Sequence, residues 1–178
     1  MNAQDIDRAV RRLGREIAER AKASGAGKDL AIVGIRRGGV HLAQRLRKEL
    51  EAALGAEPPA GTLDIALYRD DLAHRGAAPV VGPTDIRFPV QGKTVVLVDD
   101  VLYTGRTVRA ALDELVDFGR PRRVWLAVLV DRGGRELPVA ADFTGAKVDV
   151  PEDQDVQVRL RESGAAEDAV VVKPRRGT

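Results

Sequence analysis

The sequence contains no cysteine, which excludes a disulfide framework and a thiolate metal site and fits a reducing compartment. Its two histidines, His41 and His74, stand far apart without ligand spacing, so no zinc site is expected. Aromatic residues make up only 3% of the chain, too few to build a stacking surface for single-stranded nucleic acid. No apolar run approaches the length of a membrane span, and the N-terminus MNAQDIDRAVRRLG lacks the apolar core of a signal peptide. A cytoplasmic protein with no membrane partner is expected. Neither sign of charge dominates, since 29 Lys and Arg face 27 Asp and Glu for a net charge of +2. What is present is 178 residues, 44% hydrophobic and 31% charged, which is enough chain for one domain, 1–178, with a sizeable core.

The most informative stretch is VVLVDDVLYTGRT, residues 95–107. Val95, Val96, Leu97 and Val98 run without a polar interruption, the pattern of a parallel strand buried on both faces. Asp99 and Asp100 end the run, and because unpartnered carboxylates are rarely buried, they belong where the strand emerges into a cleft. Thr104-Gly105-Arg106-Thr107 follows as a glycine turn flanked by hydroxyls, and Val108, Ala111, Leu112 and Leu115 then repeat at helical spacing. The loop N–H groups and the unsatisfied donors of the first helical turn converge on one spot and favour a phosphate there. The two carboxylates face something hydroxylated or cationic beside it, such as ribose hydroxyls or the water shell of Mg²⁺. The implied ligand is a sugar phosphate.

In chain order, Ile6, Val10, Leu13 and Ile17 predict an amphipathic helix from Asp5 to about Ala23. Its other face carries Arg8, Arg11, Arg12 and Arg15, which reads either as a solvated surface balanced by Glu16 and Glu19 or as part of an RNA-contacting face. LAIVGI is a second buried strand that runs into Arg36-Arg37-Gly38-Gly39, and Leu42, Leu46 and Leu50 mark the helix after it. If the strands are parallel, this loop and the acidic pair share the carboxyl edge of the sheet, where ligands of open α/β sheets sit. Leu63, Ile65 and Leu67 alternate as a strand, after which the pattern breaks from Leu72 to Pro89 in a long irregular stretch of the kind used as a lid. Gly92-Lys93-Thr94 resembles the end of a nucleotide-binding P-loop, but Arg87 stands where that motif needs a glycine and the tripeptide precedes a strand, so an NTPase is rejected. A further apolar strand covers 124–130 and ends at Asp131. Val156, Val158 and Leu160 form a half-exposed strand with which 170–172 can pair.

VVLVDDVLYTGRT resembles the phosphoribosyl-pyrophosphate signature of the type I phosphoribosyltransferases, and the likeness continues through TLDIALYRDDL at 62–72 and LVDRGGRELPVAADFTG at 129–145. It is nearest to the branch that joins uracil phosphoribosyl transfer to regulation of pyrimidine operons. The resemblance implies an α/β fold with a mostly parallel five-stranded sheet flanked by helices, a flexible flap at about 69–92, and a small hood formed by about 131–178 with the N-terminal region. It implies that uracil and phosphoribosyl pyrophosphate (PRPP) give UMP and pyrophosphate with Mg²⁺, and that UMP or UTP controls binding of a pyrimidine operon mRNA stem-loop in transcription attenuation. A homo-oligomer, dimer or higher, is implied as well. The alternative is a phosphoribosyltransferase for a purine or orotate without RNA regulation.

On the same resemblance, Asp99 and Asp100 are the catalytic residues and hold the metal through water, while Val101, Leu102, Tyr103, Thr104, Gly105, Arg106 and Thr107 bind the phosphate of PRPP or UMP. Arg36, Arg37, Gly38 and Arg69 take the pyrophosphate. Asp131, Arg132, Phe143 and Thr144 lie around the nucleobase. RNA falls to Arg11, Arg15 and Arg135, although Gly134, Ala140 and Ala146 occupy places where relatives carry a histidine and further basic residues.

Overall fold

The computed structural model describes residues 1–36, 38–65 and 84–175. Its elements in chain order are α1 (Ala3–Ala23), β1 (Leu30–Ile35), α2 (Gly38–Leu54), β2 (Ala60–Leu63), β3 (Thr94–Leu102), α3 (Arg106–Leu115), β4 (Arg123–Asp131), β5 (Phe143–Lys147), β6 (Gln154–Arg159) and β7 (Ala169–Pro174). Five strands form one sheet in the order β2-β1-β3-β4-β5, and every adjacent pair in it is parallel. β6 and β7 pair separately and antiparallel, with Val156 opposite Val172.

Layering follows from the alternation of side chains along buried strands. Val96 and Val98 pack on one face with Ile6, Leu13, Ile17, Leu42 and Leu46 of α1 and α2, while Val95 and Leu97 pack on the other with Val108, Ala111 and Leu115 of α3. Helices on both faces leave β1 fully buried along its length, which is why its sequence shows no polar alternation. The leucines read as the inner face of α2, Leu42, Leu46 and Leu50, are all buried.

Two boundaries differ from the sequence reading. α1 starts at Ala3 because Asn2 is its cap: Asn2 Oδ1 accepts from the Asp5 N–H at 3.0 Å and Asp5 Oδ2 accepts from the Asn2 N–H at 3.0 Å, a reciprocal capping box. Asp5 therefore lies inside the first turn. β2 occupies Ala60–Leu63, earlier than the alternation of Leu63, Ile65 and Leu67 suggests. Residues 84–92, assigned to the flap, are tied down: Asp85 bridges Thr62, Val90 is fully buried and the Gly92 N–H donates to the Arg120 carbonyl at 2.9 Å.

The β6–β7 pair is fastened from two sides. The Met1 ammonium donates to the Val170 carbonyl at 3.0 Å, and the Val170 N–H returns a bond to Met1 at 2.9 Å. From α2, Arg45 grips Glu162 with Nε and Nη2 at 2.8 and 2.5 Å and Asp168 with Nη1 at 2.6 Å. The fork of a guanidinium matches two carboxylates in a way an ammonium does not. Those bonds hold the Glu162 and Asp168 carboxyls below the ordinary carboxylate value. Among the described residues no helix is long and apolar enough to cross a membrane.

Candidate active site

Parallel register sets the carboxyl ends of the strands side by side. Gly34 lies opposite Val98, which brings the loop after β1 level with the acidic pair, and Leu102 lies opposite Asp131, itself opposite Lys147. The closest approach is at the glycines of the first loop. A Cβ built on Gly38 would stand 2.1 Å from Asp100 Oδ2, and one on Gly39 would stand 2.1 Å from the Val98 carbonyl oxygen. Only residues without a side chain let the start of α2 close onto the end of β3.

The acidic pair is unequal. Asp99 is 5% exposed, and its Oδ1 accepts from the Asp100 N–H at 2.9 Å. Asp100 Oδ1 accepts from the Val101 N–H at 2.9 Å. Burial pushes the Asp100 carboxyl above its ordinary value, and its hydrogen bonds with the Asp99 side chain and backbone N–H groups only partly offset this. A half-buried carboxylate raised in this way is eager for a cation or a hydroxyl donor.

Beyond the pair the chain turns into α3 through Gly105, which caps the helix with φ +93°, a left-handed backbone that favours glycine. The first-turn N–H groups have no acceptor inside the helix and face outward from its start. Thr104 Oγ1 accepts from the Arg106 N–H at 3.3 Å. The loop is pinned from outside, since the Thr104 carbonyl accepts from the Glu136 and Leu137 N–H groups at 3.0 Å each and Arg106 pairs with Glu136 at 2.8 Å.

The remaining assigned residues divide into two groups. Asp131 ends β4 at the same edge. Burial alone pushes its carboxyl up, but the Arg135 hydrogen bond, the Gly133 N–H and the charges of Arg135 and Lys147 outweigh it and hold it below the ordinary value. Arg36 is at the edge too, its N–H donating to the Leu63 carbonyl at 2.8 Å. Arg37 and Arg69 lie outside the described residues. Phe143 and Thr144, assigned to the nucleobase, are not brought to the edge. Phe143 faces Ala127, four residues before Lys147 in a strand that ends beside Asp131, so it sits roughly 13 Å back from the edge at the rise of an extended chain. Its ring packs edge-on against Trp125 at 5.9 Å and is 5% exposed, which makes it a core residue. Arg132 is 4% exposed, and its Nη1 donates to the Gln154 carbonyl at 3.0 Å. Lys147, which the sequence reading passed over, is the β5 residue that reaches the edge; treating D-F-T-G-A-K as a strand that finishes there would have found it.

The three cations assigned to RNA are placed differently. Arg11 is exposed and pairs with Asp7 at 3.1 Å. Arg15 is exposed. Arg135 is engaged within its own loop, donating to the carbonyls of Val139 and Tyr103 at 2.9 and 2.7 Å and pairing with Asp131 at 2.6 Å. Arg12, next to Arg11, donates to the Thr144 and Gly145 carbonyls at 3.1 and 2.6 Å.

Two carboxylates from one strand are a sparse donor set for a metal, and among the described residues no cluster of three or more such ligands occurs. That set suits Mg²⁺, which keeps several waters and takes further ligands from substrate phosphates.

The Gly105-capped start of α3, the acidic pair and the glycine loop closed onto it share the carboxyl edge, and the family model for the phosphoribosyl transferase domain matches residues 2–160. The chain belongs to that family. Among curated proteins it is 55% identical over 172 residues to the "Bifunctional protein PyrR" of Roseiflexus sp. (strain RS-1), covering 97% of this chain and 92% of the relative. It is 50% identical over 177 residues to the protein of the same name from Thermus thermophilus, covering 99% and 96%. Solved structures with the same fold include the hypoxanthine phosphoribosyltransferase of Trypanosoma cruzi in complex with the product IMP, at TM-score 0.64 and 19% identity over 83% of this chain and 74% of that one. The purine phosphoribosyltransferase of Pyrococcus horikoshii matches at TM-score 0.61 and 26% identity, covering 84% and 85%. The expected α/β fold with its parallel five-stranded sheet is thus borne out, and the chain is a phosphoribosyltransferase.

Proposed function

We propose that the protein transfers ribose 5-phosphate from phosphoribosyl pyrophosphate to uracil, and that it also regulates pyrimidine operons by binding an mRNA stem-loop when UMP or UTP fills the same site. The observation that carries the transfer is the closure of Gly38 onto Asp100 beside the Gly105-capped helix start. It supports a reading in which the Gly38 loop takes the leaving pyrophosphate, the carboxylate pair faces the ribose and the helix start takes the 5-phosphate. The uracil specificity and the regulatory half are supported by curated relatives at 50–55% identity over nearly the whole chain, each named bifunctional PyrR.

In the reaction the bond from ribose C1 to the pyrophosphate oxygen breaks, the electron pair leaves with pyrophosphate, and N1 of uracil forms the new bond while its proton passes to water. Positive charge develops on the ribose ring as pyrophosphate departs. Preorganised carboxylates beside that ring stabilise it, with no covalent nucleophile required. Asp99 and Asp100 hold the ribose hydroxyls and the shell of Mg²⁺, which would neutralise pyrophosphate when bound. The backbone donors of 104–107 hold the 5-phosphate, and Gly38 with Arg36, Arg37 and Arg69 serves the pyrophosphate. The base lies by Asp131 and Lys147, under the hood. For RNA, Arg11 and Arg15 are the exposed cations, while Arg135 shapes the loop. The protein is placed in the cytoplasm. Leu112, Val116, Phe118 and Val172 are exposed large apolar side chains among the described residues, surface that a homo-oligomer would cover.

The test is a nucleobase panel with phosphoribosyl pyrophosphate and Mg²⁺, read as pyrophosphate release. Uracil should be turned over and hypoxanthine, guanine and orotate should not. Preference for one of the latter would establish the alternative instead.

A further inference from the structure

Tyr103 opens the phosphate loop, and separate parts of the chain converge on its ring. The Arg132 guanidinium lies 3.8 Å from the ring centroid and that of Arg175 lies 5.3 Å from it. Gly134 approaches so closely that a Cβ there would stand 2.4 Å from Tyr103 Cε2. Both cations are rooted in the segment 150–155 that leads into β6. Arg132 donates Nη1 to the Gln154 carbonyl at 3.0 Å and Nη2 to those of Pro151 and Val150 at 3.4 and 3.5 Å, and stands 3.7 Å from Asp155. Arg175 donates its backbone N–H to the Asp153 carbonyl at 2.7 Å and pairs with Asp155 at 3.3 Å. The Tyr103 carbonyl, in turn, receives Arg135.

These contacts leave both Nη groups of Arg132 committed to the hood's own backbone, so a direct role on the nucleobase is not what its geometry serves. A guanidinium held over an aromatic face and shielded from water makes a strong contact. Here that contact joins the phosphate loop to the segment that carries the hood. We propose that Tyr103 and Arg132 are positioning residues: their stack fixes the hood above the phosphate loop, so that the base side of the site is set at the right distance from a ribose whose phosphate the loop holds. The inference rests on the base-transfer reading above, because only a ligand spanning both sides would sense the spacing.

Steady-state kinetics on the full chain separate this role from a merely structural one. Tyr103→Leu removes the π face and should raise KM for uracil at least tenfold, while KM for phosphoribosyl pyrophosphate changes less than threefold because the loop N–H donors remain. Arg132→Met should act in the same direction, and the double variant should be no worse than the worse single, since both break one stack. Tyr103→Phe keeps the ring and should restore the uracil KM to within threefold of the parent. Simple loss of fold lowers the active fraction and hence apparent kcat, not KM. Should Arg132→Met fail to fold, Arg175→Met probes the same ring from its other guanidinium and should give a smaller rise of the same sign. An unchanged uracil KM in Tyr103→Leu, an equal rise in both KM values, or a Tyr103→Phe variant as impaired as the leucine one would overturn the proposal. If the parent protein transfers another base, that base replaces uracil in the assay. If it transfers none, the ratio of the UMP and ribose 5-phosphate dissociation constants by calorimetry reads the same coupling, and a ratio that Tyr103→Leu leaves unchanged refutes it. Failure of the uracil reading therefore appears in the parent, and failure of the stack appears in the variants.

Discussion

Replacing Gly39 by alanine tests how tightly the first loop closes onto the central strand. The new Cβ would stand 2.1 Å from the Val98 carbonyl oxygen, 3.0 Å from its carbon and 3.1 Å from Asp99 Cα. All three are backbone atoms of β3, so no flexible side chain can yield. An unstrained carbon-to-oxygen contact needs about 3.3 Å, so the start of α2 must retreat by about 1 Å. Overpacking of that kind costs about 1–3 kcal/mol, and for a chain of this length each kcal/mol lowers Tm by about 2–4 °C. A melting temperature roughly 2–12 °C below the parent is therefore expected. Activity should suffer more than stability, because the retreat moves the Gly38–Gly39 loop, to which the proposed function gives the pyrophosphate, away from Asp100, and a displacement of about 1 Å can cost on the order of 100-fold in rate. The assay is a thermal melt beside pyrophosphate release, with Gly27→Ala as control. A Cβ at Gly27 meets only Leu54 Cδ2 at 4.0 Å, so its stability should stay within about 0.5 kcal/mol of the parent. A Gly39→Ala protein with the parent's Tm and turnover within a factor of three would show that the loop does not close on β3 as described.

Asp100→Asn should nearly abolish turnover yet raise thermal stability at pH 7. Burial raises the folded-state value of Asp100, so its ionised form opposes folding above the unfolded-state value; the gain should fade as pH drops below the ordinary aspartate range, where both states bind the proton, and a less stable Asp100→Asn at pH 7 would refute this. UMP at about 100 times its Kd should stabilise the fold by about 2.7 kcal/mol, seen as a Tm rise of roughly 5–11 °C. Thr107→Val, which removes a hydroxyl that the proposed function gives to the 5-phosphate, should shrink that rise, and a melt indifferent to UMP would count against the pocket. Arg11→Ala combined with Arg15→Ala should weaken stem-loop binding and make the slope of log affinity against log salt shallower by about 1–2, the loss of two phosphate contacts. An unchanged slope would remove α1 from the RNA face.

The central strand, the acidic pair and the helix start after Gly105 were legible because each rests on local chemistry: a β-branched run, charges that must emerge, a glycine that must turn. β1 and α2 were readable for the same reason. What escaped depended on direction across the chain. Phe143 and Lys147 both lie in D-F-T-G-A-K, and only parallel register with β4 decides that the lysine reaches the edge and the phenylalanine fills the core. Arg132 follows Asp131 at the edge, but a guanidinium on three carbons can turn several ways, and it turns to the carbonyls of 150–154. Asn2 as the cap of α1 was hidden by the more conspicuous Asp5. Gly38 was legible as part of the loop given to the pyrophosphate, but that it and Gly39 let α2 close onto β3 is visible only in the fold.

One arginine of α1 bears on how the molecule behaves in a crowded solution. β5 is an outer strand of the sheet, and a bare outer strand is a template on which a second chain can add its own. Arg12 lays its guanidinium on the Thr144 and Gly145 carbonyls, acceptors that such an intruder would seek, and its pairing with Glu16 at 2.9 Å keeps it in place. A charge of α1 that looked available for recruiting RNA thus lies against the backbone of this outer strand, beside the place where a second chain would add its own.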